Sequence, residues 1–320
     1  MESRLLTQLG TLRQLEIFLS VAELGSMSRA AEVLHLSHPA VSLQVRKLAD
    51  AVGLPLHEVI GKKLYLTEAG REVAETGWEI FASLRRLDDS INNLKGLSSG
   101  RLAISVVTTA KYFLPRILGP FCREHSGIDL SFHVGNRSEI IQRLSKNLDD
   151  LYIFNDLPED LDIESFQFLP NPLAVIASSR HHLAGRKGLR WSDLADEKFL
   201  MREEGSGTCN AIRRHLDAHG YKLGKTMTIE SNEAIKHAVV ENMGVTVLSA
   251  YVLADTVGHE LVQLRVKDFP ILSDWYVAYP RTKRLSLIAE RFLEFVLNKG
   301  SDILPMQHLE EQVQRALAQT

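Results

Sequence analysis

The 320-residue chain has two cysteines, 7% aromatics, no surplus of basic charge and no apolar run long enough to cross a bilayer. Two cysteines exclude a disulfide framework and a cysteine-rich zinc module. With 37 Lys and Arg against 40 Asp and Glu, a net charge of −3 provides no global attraction for nucleic acid or acidic lipid. The missing apolar run excludes a transmembrane helix, and the N-terminal residues lack the basic, apolar, small-residue order of an export signal, so a cytoplasmic protein is expected. Catalytic signatures are also missing. No serine elbow, Walker loop or dinucleotide glycine pattern is present, and Gly205-Ser206-Gly207 is too short to count as one. His181-His182 are adjacent on a loop, and the pair His215 and His219 lacks cysteine or a defined carboxylate partner, so no metal, cofactor or enzyme activity is expected.

What is present is an ordinary soluble composition, 45% hydrophobic and 24% charged, in a chain long enough for two or three domains. Leu12, Leu15, Phe18, Val21 and Ala22 recur at helical spacing up to Gly25, a residue suited to the left-handed end of a helix. Ser28 is positioned to cap a short second helix containing Ala30, Ala31 and Leu34. Ser37 is the expected cap of a third, with Pro39 in its first turn. That third helix buries Val41, Val45 and Leu48. Its opposite arc carries Pro39, Ser42, Leu43, Arg46 and Lys47, which suits a recognition helix in a major groove. Val59 to Thr67 reads as a hairpin with Lys62 and Lys63 at its tip, placed for phosphate contact. Charge in this region is nearly balanced: Arg4, Arg13, Arg29, Arg46, Lys47, Lys62 and Lys63 face Glu2, Glu16, Glu23, Glu32, Asp50 and Glu58. DNA binding therefore rests on local placement and on pairing two such domains.

These residues carry a resemblance. Ser26-Met27-Ser28-Arg29-Ala30-Ala31, Ser37-His38-Pro39-Ala40-Val41-Ser42, Gly53-Leu54-Pro55-Leu56 and Leu66-Thr67-Glu68-Ala69-Gly70 resemble the DNA-binding domain of LysR-type transcriptional regulators, and the similarity runs to about Asn298. Within that family the chain is most similar to the carbon-fixation branch, which controls RuBisCO operons and inorganic-carbon uptake. Thr108 to Pro115, Leu118 to Cys122, Asp149 to Ile153, Phe199 to Glu203, Gly205 to Thr208, Ser231 to Lys236 and Phe269-Pro270-Ile271 carry that likeness.

The resemblance implies an α/β architecture: a winged helix-turn-helix over 1–70, a dimerisation helix and hinge over 71–100, and an effector domain over 101–300 built like periplasmic solute-binding proteins. Its first subdomain spans 101–172 and 277–300, its second 173–276, and a tail follows over 301–320. Periodicity agrees. Ala74, Trp78, Phe81, Leu84 or Leu87, Ile91 and Leu94 form a coiled-coil-like seam, and Gly96 to Gly100 breaks the helix. Apolar runs at 101–107, 129–134, 173–177, 227–229, 245–248 and 275–279 alternate with helical stretches, which predicts mainly parallel sheets with ligands bound at the strand ends. Leu304, Leu309, Val313 and Leu317 predict one further amphipathic helix, with Pro305 near its start.

Four loops at strand ends offer hydroxyls and helix-start amides suited to an anion: Thr108-Thr109, Gly135-Asn136-Arg137-Ser138, Gly205-Ser206-Gly207-Thr208 and Ser231-Asn232. Taken singly, each is ordinary helix capping. Lys111, Arg137, Arg202 and Lys236 add compensating charge, and Glu203 and Cys209 flank the third loop. The resemblance implies a phosphorylated or carboxylated metabolite such as ribulose bisphosphate, 2-phosphoglycolate or 2-oxoglutarate, or reduced nicotinamide nucleotide, bound between the subdomains. Three positions depart from the family pattern. Cys209 stands where arginine is usual, His38 replaces a common glutamine, and Leu43 replaces a polar or basic residue, so that a thymine methyl is the contact left to it.

The reading is therefore a homodimer or homotetramer on double-stranded promoter DNA, touching RNA polymerase, with effector binding altering the DNA bend. Two alternatives remain at this stage: a thiol redox sensor using Cys209 and Cys122, and a metabolite-binding protein without DNA activity.

Overall fold

The computed structural model describes residues 11–61, 63–94, 99–254 and 260–316. They form two compact units, Met1–Asp88 and Asp89–Thr320. No helix among the described residues is long and apolar enough to cross a membrane.

In the first unit, α1 (Leu12–Leu24) opens on a capping box in which Thr11 and Gln14 each accept the other's backbone N–H, and it closes on Gly25 at φ 61°. Helix α2 (Met27–Val33) is capped by Ser26, not Ser28. The chain leaves Gly25 fully extended, and Ser26 is the residue whose hydroxyl meets the Arg29 N–H, at 3.3 Å. Ser37 caps α3 (His38–Val52), which ends at Gly53 with φ 81°. Strands β1 (His57–Ile60) and β2 (Lys63–Leu66) pair antiparallel as the wing. Helix α4 (Glu68–Leu94) then runs for 27 residues. Leu15, Phe18, Val21, Ala30, Ala31, Val41, Val45, Leu48, Leu56 and Ala74 are the shared core.

Two glycines allow α4 to seat closely. A Cβ at Gly77 would stand 2.9 Å from the Leu15 side chain, and one at Gly70 would overlap the Leu56 carbonyl oxygen. Along α4, Trp78 and Phe81 pack partly against this core, whereas Leu84, Leu87 and Ile91 are exposed in the single chain. The expected break at Gly96 to Ser98 lies outside the described residues, and Ser99 and Gly100 belong to the next strand.

The second unit has two lobes. Lobe A is a five-stranded sheet in the order β4-β3-β5-β12-β6, formed by β3 (Ser99–Val107), β4 (Gly127–Gly135), β5 (Leu151–Phe154), β6 (Ile163–Pro170) and β12 (Asp274–Pro280). It carries α5 (Leu114–Glu124), α6 (Arg137–Ser145) and α10 (Leu287–Ile303). Lobe B holds β7 (Leu173–Ser178), β8 (Lys198–Met201), β9 (Lys225–Thr228), β10 (Thr246–Ser249) and β11 (Leu261–Gln263). Its helices are α7 (Gly207–Ala218), α8 (Asn232–Val240) and the short α9 (Ala250–Ala254), and α11 (Met306–Ala316) follows α10 at the end of the chain.

The sheets are mixed rather than mainly parallel. β3 is parallel to β4 and β5, and β8 to β9, but β12 is antiparallel to β5 and β6, and β7 to β10 and β11. The chain crosses from lobe A to lobe B and back, so the returning strand β12 must run against the strands laid down on the outward pass. Replacing Gly70 by alanine forces a methyl group into the Leu56 carbonyl. The expected cost is about 1–3 kcal/mol, the usual range for overpacking, read as a lower melting temperature of the N-terminal unit and weaker DNA binding.

Candidate functional site

On the first unit, α3 turns His38, Pro39, Leu43, Arg46 and Lys47 to solvent, with Ser42 half-buried between them. Ser37 is engaged as the helix cap, its hydroxyl accepting from the Ala40 N–H at 3.3 Å. Gln14 donates to Gln44 at 3.1 Å, which ties α1 to α3 and fixes the helix pair. Arg29 on α2 and Lys63 on β2 are exposed, whereas Lys62 lies outside the described residues. Leu43 is half exposed on the α3 arc.

In the second unit, the loops expected to meet do so where the lobes face each other. The 3-10 turn Thr108–Tyr112 follows β3 on lobe A and meets residues from the starts of α7 and α8 on lobe B. Arg202, at the end of β8, is buried and fully engaged. Its Nε and one Nη each donate to Glu203 at 2.7 Å, and the other Nη donates to Asn232 at 3.0 Å and to Thr108 at 3.4 Å. Asn232 in turn donates to Thr109 at 3.2 Å. Lys111 pairs with Glu233 at 2.7 Å, while Tyr112 donates to the same carboxylate at 2.6 Å and Ser231 at 3.0 Å. On the other side Arg137 and Asp156 of lobe A meet at 3.2 Å, and Asp156 accepts from Asn210 at 2.7 Å and from Arg214 at 2.6 Å on α7.

Val107, Thr108, Thr109, Arg137, Asn155, Arg202, Glu203, Ser206, Gly207 and Thr208 enclose a cavity of about 10 Å³. That is room for about one water. The Gly207 Cα lies so close to Asn155 that a Cβ would overlap its side-chain oxygen. Asn136 and Ser206 use their side chains as helix caps. Gly205 sits at φ 82° and supplies the turn before α7, and Lys236 lies 5.6 Å from the Tyr112 ring centre. Sequence reasoning missed Glu233, Asn155 and Asp156, because a carboxylate or amide is recognisable as a bridge only once the opposite lobe is in place.

Cys209 requires correction. It stands on the first turn of α7 but its side chain is buried in the core of lobe B, among Ile212, Phe199 and Met201, not in the cleft. Burial pushes its thiol up despite the nearby Arg213, the reverse of the lowered value expected at a helix start. Cys122 lies on α5 of lobe A, and both cysteines are free.

The histidines are also more engaged than expected. His181 and His182 converge on Glu197 at 3.1 and 3.3 Å, giving one group of potential metal ligands among the described residues. The Leu183 N–H is directed at His181 Nδ1 at 3.3 Å, which leaves the ring proton on Nε2 facing Glu197. The arrangement is that of a hydrogen-bonded pin for this loop. His215 is half-buried against Phe269, not on a bare helix face, and burial followed by the His219 charge lowers its pKa.

Comparison with known proteins decides the family. Residues 12–71 match the family described as bacterial regulatory helix-turn-helix protein, lysR family, and residues 95–301 match the LysR substrate binding domain. The chain belongs to the LysR family of transcriptional regulators. It is 43% identical over 287 residues to the transcriptional activator CmpR of Synechocystis, covering 89% of this chain and 94% of that one. It is 44% identical over 292 residues to a RuBisCO operon transcriptional regulator of Allochromatium vinosum, covering 91% of this chain and 97% of that one. Among solved structures, the regulatory domain of CcmR from Synechocystis PCC6803 in complex with 2-PG aligns with TM-score 0.60 and 41% identity, over 64% of this chain and 98% of that one. This LysR regulator thus resembles regulators of carbon-fixation genes, and neither the thiol-sensor reading nor the reading without DNA activity is favoured.

The interlobe tie at Glu233 has a defined pH dependence. Burial pushes its carboxyl up, but hydrogen bonds from Lys111, Tyr112 and Ser231 outweigh this and hold it at about 2. A depressed carboxylate stabilises the folded arrangement fully above its ordinary value and loses that contribution as pH falls toward the folded value. The stability difference between the parent and Glu233→Gln is therefore expected to be constant above about pH 5.5 and to vanish toward about pH 2, as read by chemical denaturation at stepped pH.

Proposed function

We propose that this LysR regulator controls carbon-fixation or central-carbon genes in the cytoplasm, and that its effector is a small phosphorylated or carboxylated metabolite of the 2-phosphoglycolate kind. The reading rests on the cleft, where Lys111, Arg137 and Arg202 are each matched by a carboxylate. A cavity of about 10 Å³ admits no metabolite, so the cleft has to open and an anion has to take over contacts now made by Glu233, Glu203 or Asp156. Thr108, Thr109, Asn136, Ser206, Gly207, Thr208, Ser231 and Asn232 supply uncharged donors and helix-start amides to the same ligand, with Lys236 at the mouth. That a relative 41% identical is described in complex with 2-PG supports this chemistry.

Arg29, Ser42, Leu43, Arg46, Lys47, Lys62 and Lys63 form the DNA face in this reading. The exposed Leu84, Leu87 and Ile91 of α4 pair with a second copy, and two such dimers make the tetramer that spans a bent promoter and contacts RNA polymerase. The effector acts only through its different affinity for the two lobe arrangements, which shifts the population between them.

Footprinting and mobility shift on the upstream intergenic DNA, at stated salt, with 2-phosphoglycolate, ribulose bisphosphate or 2-oxoglutarate, test both halves. One of the three is expected to change the protected region or the affinity, and Lys111→Met with Arg137→Met to weaken that response at least ~10-fold, a loss of about 1.4 kcal/mol. A protected site indifferent to all three contradicts the effector assignment and leaves the DNA-binding function standing. On randomised operators Leu43→Arg is expected to change base preference, and Arg46→Ala to reduce the salt slope by about 1.

A further inference from the structure

The match to the effector-domain family ends at residue 301, yet the chain continues through α11. Helix α10 belongs to lobe A, where it packs on α5, β3 and β6. Only Leu304 and Pro305 separate it from α11, which packs instead on α9 of lobe B. Leu304, Leu309 and Val313 are each at most 6% exposed. They join one continuous apolar core that runs from Phe113 and Trp275 of lobe A through Tyr251 to Ala174 and Leu248 of lobe B.

The lobes are already joined by the crossovers after β6 and before β12. Two neighbouring crossovers act as a hinge, and α11 lies beside it, since Pro172 and Pro270 of the crossovers line the same groove as Met306 and Leu309. As a third connection it adds contacts that bending of the hinge has to break. The corner between α10 and α11 also reaches the cleft. Leu304, Pro305 and Leu309 border a cavity of about 160 Å³ with Tyr112, Phe113 and Tyr251, and the hydroxyl of Tyr112 is the group that donates to Glu233. Beside it, a groove of about 680 Å³ separates part of α11 from Ala174 and Gln263, so the helix is held along one edge rather than fully embedded.

We infer that α11 is a C-terminal strap that holds the two lobes in this closed arrangement and has to loosen before effector enters. The link to effector rests on the anionic reading above; the restraint itself does not. Docked across the seam, α11 favours the closed state, so every ligand that needs the lobes apart binds against it.

The test compares the full chain with a chain ending after Leu304 and with the full-length double variant Leu309→Ser and Val313→Ser, by hydrogen exchange without ligand. Amides of Thr108–Tyr112 and Glu203–Thr208 are expected to exchange at least fivefold faster in both variants, with β3 and β7 unchanged. Faster exchange confined to α9 and the end of α10, or no change, overturns the strap. The double variant decides the matter if the shortened chain does not fold. A titration with 2-phosphoglycolate is expected to show at least threefold tighter binding in the variants. Because the exchange is read without ligand, a failure of 2-phosphoglycolate to bind any of the three proteins counts against the effector reading alone.

Discussion

Burying a guanidinium where two lobes meet is tolerable only if its donors find acceptors, and Arg202 imposes that condition on everything around it. Glu203 takes two donors in the forked geometry that suits arginine, and Asn232 and Thr108 take the rest from opposite lobes. Asn232 is then fixed toward Thr109, and the starts of α7 and α8 are brought against the turn after β3. The same need recurs on the flanks, at Lys111 with Glu233 and at Arg137 with Asp156. A ring of hydrogen-bonded charge therefore joins the two lobes at the cleft, beside the apolar core that they share.

This distinguishes the cleft from the surrounding cores. The strands of lobe A are held by apolar contact and by hydrogen-bonded pairs such as Asp149 with Arg143 and Ser105. Substituting there is expected to cost folding, whereas the interlobe ties trade one acceptor for another. The DNA unit follows the same division. Its core of Phe18, Val41, Val45 and Leu48 is buried, and the polar arc of α3 stays exposed.

Much of this was legible in the sequence where the signal is local. Helical spacing with Gly25 and Ser37 located α1 and α3, and the apolar runs located β3, β4, β7 and β12. The cap of α2 was placed two residues late, at Ser28, because serines at 26 and 28 look alike until the direction of the chain leaving Gly25 is known. β5, β6, β8 and β11 escaped, because β6 mixes exposed, half-buried and buried residues and the other three are only three or four residues long, too short for their apolar residues to be told from a helix face. Sheet direction escaped because the crossing between lobes is a tertiary fact. Cys209 was misread for a related reason: a helix start has an outward and an inward side, and at this position the inward side is the core of lobe B.

In the proposed function the protein's own carboxylates occupy the place of the effector. The most direct test is the affinity of 2-phosphoglycolate for the parent and for Glu233→Gln, measured by calorimetry at neutral pH. Removing a competing internal anion predicts binding tighter by roughly tenfold, about 1.4 kcal/mol; equal or weaker binding by Glu233→Gln would contradict it.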